Sequence, residues 1–149
     1  MTKDTWEEVI KYGAYAQELD WYAIDKNGNM GMFSAIMLAP VPDKVKKSYD
    51  TYIGLKQLIN SLPKSTSFVL ATPEQGDFSG WTSYAEKGLF AFDFQDIHRS
   101  IAKNQYDLIA RPIRPLNFRD IRIPTNLLDA LVKLDCYFLS GDVQTKFIE

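Results

Sequence analysis

Asp20-Trp21-Tyr22-Ala23-Ile24-Asp25-Lys26-Asn27-Gly28-Asn29-Met30-Gly31-Met32-Phe33-Ser34 is the stretch whose reading decides the fold. Two apolar runs flank Asn27-Gly28, and Asn and Gly are the residues that tolerate the positive φ of a tight hairpin turn. The stretch therefore predicts a strand over residues 21–25, a turn at Asn27-Gly28 and a second strand over residues 30–38. Pro40 and Pro42 close the second strand, because proline has no N–H to give to a ladder.

Upstream, Thr5 and Glu8 have the spacing of a capping box. Trp6, Val9, Ile10, Gly13 and Ala16 follow at helical spacing, which predicts a helix with one buried face and a polar exit at Glu18 and Asp20. Downstream, Asp43 is placed to cap a second helix. Its apolar stripe is Val45, Tyr49, Tyr52, Leu55 and Ile59, with Lys44, Lys46, Lys47 and Lys56 facing water and Pro63 as the stop. Residues 67–71 read as a short buried strand halted by Pro73. Asp77 or Ser79 starts a short helix holding Phe78, Trp81, Tyr84 and Ala85, and Gly88 stands where a helix end turns left-handed.

Residues 89–94 and 106–110 read as strands, joined by a connection with one helical turn around Ile97-His98-Arg99-Ser100. Residues 111–118 carry too much proline for a helix. A helix is expected after Pro124, with Leu127, Leu128, Leu131 and Leu134 facing inward, and residues 136–139 add a strand or pack over the core. The order is irregular and the hairpin antiparallel. The fold class is therefore α+β, a mostly antiparallel sheet with helices packed on one face.

The chain of 149 residues is expected to form one domain, residues 1–149, and its 46% hydrophobic and 13% aromatic content is ample for one core. A net charge of −2 disfavours nucleic acid as the partner. Cys136 is the only cysteine, which excludes an internal disulfide and fits a reducing compartment. Residues 1–8 lack the apolar core of a signal peptide. The longest apolar run, residues 30–41, falls short of the roughly 20 residues of a spanning helix. A cytoplasmic location without membrane association is the expectation.

Catalytic motifs fail one by one. Asp25-Lys26-Asn27-Gly28-Asn29 opens like a calcium loop, but Met30 and Ile36 stand where the EF-hand pattern wants Gly and an acidic ligand. Cys136 and His98 are too few for a zinc site. Cys136 lies in an apolar run beside Tyr137 and Phe138 and reads as a small core residue rather than a nucleophile. Ser79-Gly80 and Ser140-Gly141 lack the hydrolase nucleophile setting, and no glycine-rich phosphate loop is present. No catalytic, metal or cofactor-binding residue is therefore assigned, and no cofactor is expected.

One charge feature remains. Arg111, Arg114, Arg119 and Arg122 fall in a short segment opposed only by Asp120. Guanidinium forks suit carboxylates and phosphates, so these four are the candidate partner-binding residues. The plainer account has them lying along the core edge or pairing with Asp107, Asp120 or Asp129. The many aromatics, from Trp6 and Tyr12 to Trp81 and Tyr84, are expected mostly in the core, with some at an interface.

Two blocks carry a resemblance. One runs from Asp20-Trp21-Tyr22-Ala23-Ile24-Asp25 through Gly28 to Met32-Phe33-Ser34 and Pro40-Val41-Pro42. The other runs from Gly88-Leu89-Phe90-Ala91-Phe92-Asp93 through Tyr106-Asp107-Leu108-Ile109-Ala110-Arg111-Pro112-Ile113-Arg114-Pro115-Leu116 to Ile123-Pro124. Together they resemble a family of small single-domain bacterial proteins of unknown function, of immunity-protein type. The resemblance implies no catalytic residues. It implies a non-enzymatic intracellular binding protein, with a protein partner such as a cognate toxin. The alternative is a small enzyme whose site assembles from scattered groups such as Asp25, Asp93, Arg111 and Arg114.

Overall fold

The computed structural model describes residues 1–12 and 14–148, with side chains for all of these except 14–16 and 97. Gly13, and the side chains of Tyr15 and Ala16, therefore lie outside the described residues.

Helix α1 spans Lys3–Tyr12. Its cap is Thr2, whose Oγ1 accepts from the Thr5 N–H at 3.2 Å, so the helix starts one turn before the expected Thr5 cap. The expected polar exit at Glu18 and Asp20 is also corrected. Strand β1 covers Ala14–Ile24, and it pairs with β2, Met30–Met37, antiparallel from Ala14↔Met37 to Ile24↔Met30. The apolar second arm offers β1 a ladder from Leu19 to Ile24 and again at Ala14, across a register shift, and that tertiary pairing overrides the helical periodicity.

The turn is wider than expected. The Asp25 N–H donates to the Asn29 carbonyl and the Gly28 N–H to the Asp25 carbonyl, both at 3.0 Å. Gly28 has φ +83°, while Asn27 keeps a negative φ. This is a three-residue loop with Gly in the left-handed position, not a two-residue turn.

Pro42 leads into a 3-10 turn at Asp43–Lys46, and α2 then runs over Tyr49–Asn60. Its cap is Ser48, whose Oγ accepts from the Thr51 N–H at 3.3 Å. Of the expected stripe, Tyr52, Leu55 and Ile59 of α2 are buried, as is Val45 in the preceding 3-10 turn, while Tyr49 is half-buried. Strand β3 is Phe68–Leu70, α3 is Ser79–Ala85 ending in Gly88 at φ +98°, β4 is Phe90–Asp93 and β5 is Gln105–Pro112. A 3-10 turn at Asp96–His98 joins the last two. The helix expected after Pro124 is replaced by a 3-10 turn at Leu128–Ala130 and strand β6, Val132–Lys133. Ile24 accepts from the Leu134 N–H at 2.9 Å, so pairing with β1 extends the chain there. Residues 138–140 form a further 3-10 turn, and β7 is Val143–Gln144.

The sheet order is β3-β5-β4-β2-β1-β6, with β7 paired to β5. The pairs β1–β2, β3–β5, β4–β5 and β5–β7 are antiparallel, whereas β2–β4 and β1–β6 are parallel. The class is α+β on a mixed, mostly antiparallel sheet. Side chains alternate across the strands and so make two apolar faces. Tyr22, Ile24, Met32 and Ala91 pack under Leu55 and Ile59 of α2 and Tyr84 and Ala85 of α3. Trp21, Phe33, Phe90 and Phe92 pack under the C-terminal segment through Phe138, whose ring centre lies 5.8, 5.7 and 5.2 Å from those of Phe33, Phe90 and Phe92. Gly31 makes room for it, since a Cβ there would sit 2.8 Å from the Phe138 ring.

Candidate functional site

The arginine segment is a strap across one end of the sheet. Arg111 lies in β5 directly opposite Val69 of β3. The Ile113 N–H then donates to the Ser67 carbonyl at 2.9 Å, and the Arg114 N–H to Thr66 Oγ1 at 3.0 Å. Leu116 bonds through its N–H to the Gly88 carbonyl and accepts from the Met30 N–H. At the hairpin turn the Phe118 N–H donates to the Gly28 carbonyl at 2.9 Å, and Asn117 Nδ2 to the Asn27 carbonyl at 2.7 Å. The prolines break any regular helix, and these cross-bonds satisfy the backbone groups instead.

All four arginines are exposed. The Arg114 guanidinium donates to the Ser65 carbonyl at 2.6 Å. The Arg119 guanidinium reaches the Asn27 carbonyl at 3.5 Å and stands 5.0 Å from the Phe118 ring centre. Among the described residues, none of the four forms an ion pair. The pairing with Asp107, Asp120 or Asp129 in the plainer account is not formed among the described residues; Asp107 is held by Arg99 instead. The strap also divides the set. Arg111 and Arg114 stand at the β3 edge, Arg119 at the hairpin turn, and Arg122 beyond it between the half-buried Ile121 and Ile123.

The hairpin turn borders a cleft of about 300 Å³ lined by Asp25, Lys26, Phe118, Arg119, Lys133 and Asp135. Its buried carboxylate, Asp25, accepts from the N–H groups of Asn27, Asn29 and Phe138, each at 2.9 Å, and from Asn29 Nδ2 at 3.4 Å. Those donors tie turn and C-terminal segment together. Lys26 pairs with Asp135 at 3.1 Å.

At the other end of the sheet, register sets Asp20, Ser34, Asp93 and Asp107 side by side across β1, β2, β4 and β5. Burial, then the negative charge of Glu18, pushes the Asp93 carboxyl up to about 6 against an opposing hydrogen bond from Gln95. Composition gives no sign of this row, because its members are far apart in sequence. Asp20 also anchors the helices. Tyr52 donates to its carbonyl at 2.8 Å, Tyr84 to its Oδ2 at 3.3 Å, and the Tyr22 and Tyr84 hydroxyls meet at 3.1 Å. Burial raises all three phenols well above the ordinary tyrosine value.

The Cys136 thiol is pushed up to about 11 by burial and by the charges of Asp25 and Asp135. It is therefore protonated at neutral pH, the opposite of an activated nucleophile. Its carbonyl accepts from Lys26 at the hairpin turn, whereas His98 follows the far end of β4. Of the four residues of the alternative enzymatic site, Asp25 and Asp93 stand at opposite ends of the sheet. Among the described residues, no group of His, Cys, Asp and Glu has metal-binding geometry, and no helix is long and apolar enough to cross a membrane.

Comparison with protein-family models, curated proteins and solved structures gives no match. What the fold and the strap define is an α+β protein with exposed arginines at one sheet end that form no ion pair among the described residues.

Proposed function

We propose that this protein is a non-enzymatic binding protein that engages another protein through its arginine segment, in the manner of an immunity protein neutralising a cognate toxin. The observation that carries the reading is four exposed guanidinium groups without a carboxylate partner among the described residues, two of them oriented by backbone carbonyls. Arginine is enriched at protein interfaces, and its planar fork loses little freedom on meeting a carboxylate. Capture from the source organism's lysate with tagged wild type, beside Arg111→Ala/Arg114→Ala, tests it. A single stoichiometric protein that the folded variant loses supports the reading. Equal capture by both removes the arginine surface from it.

A second reading, an enzyme using carboxylates, rests on Asp93. A carboxyl poised near neutrality is a common property of catalytic acids and bases. Turnover of any small-molecule substrate that Asp93→Asn abolishes without unfolding the chain would favour this reading over binding.

A further inference from the structure

We propose that the β3 edge of the sheet accepts an extended acidic segment of a partner protein as an added strand, clamped by Arg111 and Arg114. The proposal rests on the binding reading above and names the partner's chemistry.

The edge is open. Among the described residues, strand β3 has β5 as its sole neighbour in the sheet. Ile113 donates to the Ser67 carbonyl at 2.9 Å and Ala71 to the Ile109 carbonyl at 2.8 Å, so the ladder runs over residues 67–71. Antiparallel pairing alternates, so residues 67, 69 and 71 turn their N–H and C=O groups toward β5. Phe68 and Leu70 turn theirs outward, and no hydrogen bond reaches them among the described residues. Pro112 fits this alternation. It faces Phe68 at a position that asks no N–H of β5. The flanking side chains are apolar and exposed: Val69 by 41%, Leu70 by 48% and Ile113 by 54%.

The charges select the occupant. Arg111 shares a face with Val69, across which an added strand would lie two strand spacings from β5, roughly 9.6 Å. An arginine and a glutamate side chain together bridge that gap over the short valine. The Arg114 guanidinium is fixed at the start of the edge by the Ser65 carbonyl and keeps further N–H donors free. Lys64, also near the edge, is already paired with Glu86 at 3.3 Å. A second copy pairing through the same edge would bring Arg111 and Arg114 against their own kind, which disfavours it. An acidic strand gains both the backbone bonds and the guanidinium contacts.

A displayed library of random peptides about ten residues long, selected on the full chain, tests this. The expected winners are rich in Asp, Glu and β-branched residues. One winner, synthesised, should protect the Phe68 and Leu70 amides from hydrogen exchange. Leu70→Pro removes an outward N–H but keeps the bonds to β5, so it should weaken that peptide at least roughly tenfold. Arg111→Glu/Arg114→Glu should do the same by charge alone, and serves if the proline variant misfolds.

No enrichment, winners without an acidic bias, or unchanged exchange at Phe68 and Leu70 would overturn strand addition. So would a chain that dimerises through this edge, or an oligonucleotide that binds through the arginines and is indifferent to Leu70→Pro. Should the lysate partner be lost with Arg111→Ala/Arg114→Ala but kept by Leu70→Pro, the arginine surface survives and the added strand does not. Should it be kept by both, both readings fall.

Discussion

Asp25 shows how much one side chain can decide. Its carboxylate is the acceptor for three backbone N–H groups and one amide, including the Phe138 N–H from more than a hundred residues away. Asp25→Ala strands those donors in a buried place, and a loss on the order of 3 kcal/mol is expected in urea unfolding. A loss below about 1 kcal/mol would mean that water takes over the role. Asp93 makes the opposite contribution. Its folded carboxyl titrates at about 6, against about 3.9 for an unfolded aspartate. A raised acid stabilises the fold below the unfolded value, and that stability is lost as pH rises to the folded value. Wild-type stability should therefore fall relative to Asp93→Asn between about pH 4 and pH 6, by roughly 1–2 kcal/mol after solvent screening of this half-buried group. A pH-independent difference between the two proteins would contradict this account.

Elements are held here by close approach as much as by hydrogen bonds. The C-terminal segment has little regular structure of its own, yet Phe138 packs edge-on against the stacked pair of Phe33 and Phe92 and over Gly31. Gly31→Ala pushes a methyl group into that ring and should cost about 1–3 kcal/mol. Phe138→Leu gives the methyl room, so in a double-mutant cycle the pair should cost less than the sum of the single changes. Strict additivity would show that the segment does not seat on Gly31. The expected short buried strand at residues 67–71 is an edge instead, with Val69 and Leu70 exposed. Its composition reads as buried because β-branched and apolar residues suit both settings, and only the sheet order tells them apart.

For the whole molecule, stability and recognition separate. The arginine strap carries its structure in backbone cross-bonds, while the guanidinium heads lie outside. Arg111→Ala/Arg114→Ala should therefore leave unfolding free energy within about 0.5 kcal/mol of wild type while abolishing partner capture. A larger loss of stability would make the pair structural, through the bond from Arg114 to Ser65. Any complex that forms should also weaken with added salt, because the charges involved are exposed.

The local readings that held were those governed by one residue's backbone preference or by a regular period. They include Gly28 and Gly88 at positive φ, Ser79–Ala85 as a helix, the stripe of α2 and the strands on either side of residue 100. The sequence by itself determined the hairpin and, through the irregular order of elements, the α+β class. It did not determine where β1 begins, since helical spacing of Trp6 and Val9 continues into residues that a long partner strand draws into a ladder. Nor did it determine the fate of residues 127–134, whose leucines suit a helix but which form a 3-10 turn at Leu128–Ala130 before β1 claims the backbone of residues 132–134. The carboxylate row, the saturation of Asp25 and the division of the arginines among the β3 edge, the hairpin turn and the segment beyond it all depend on register between distant strands. Tertiary structure alone decided these, because a hydrogen-bonded ladder sets neighbours by pairing and not by separation along the chain.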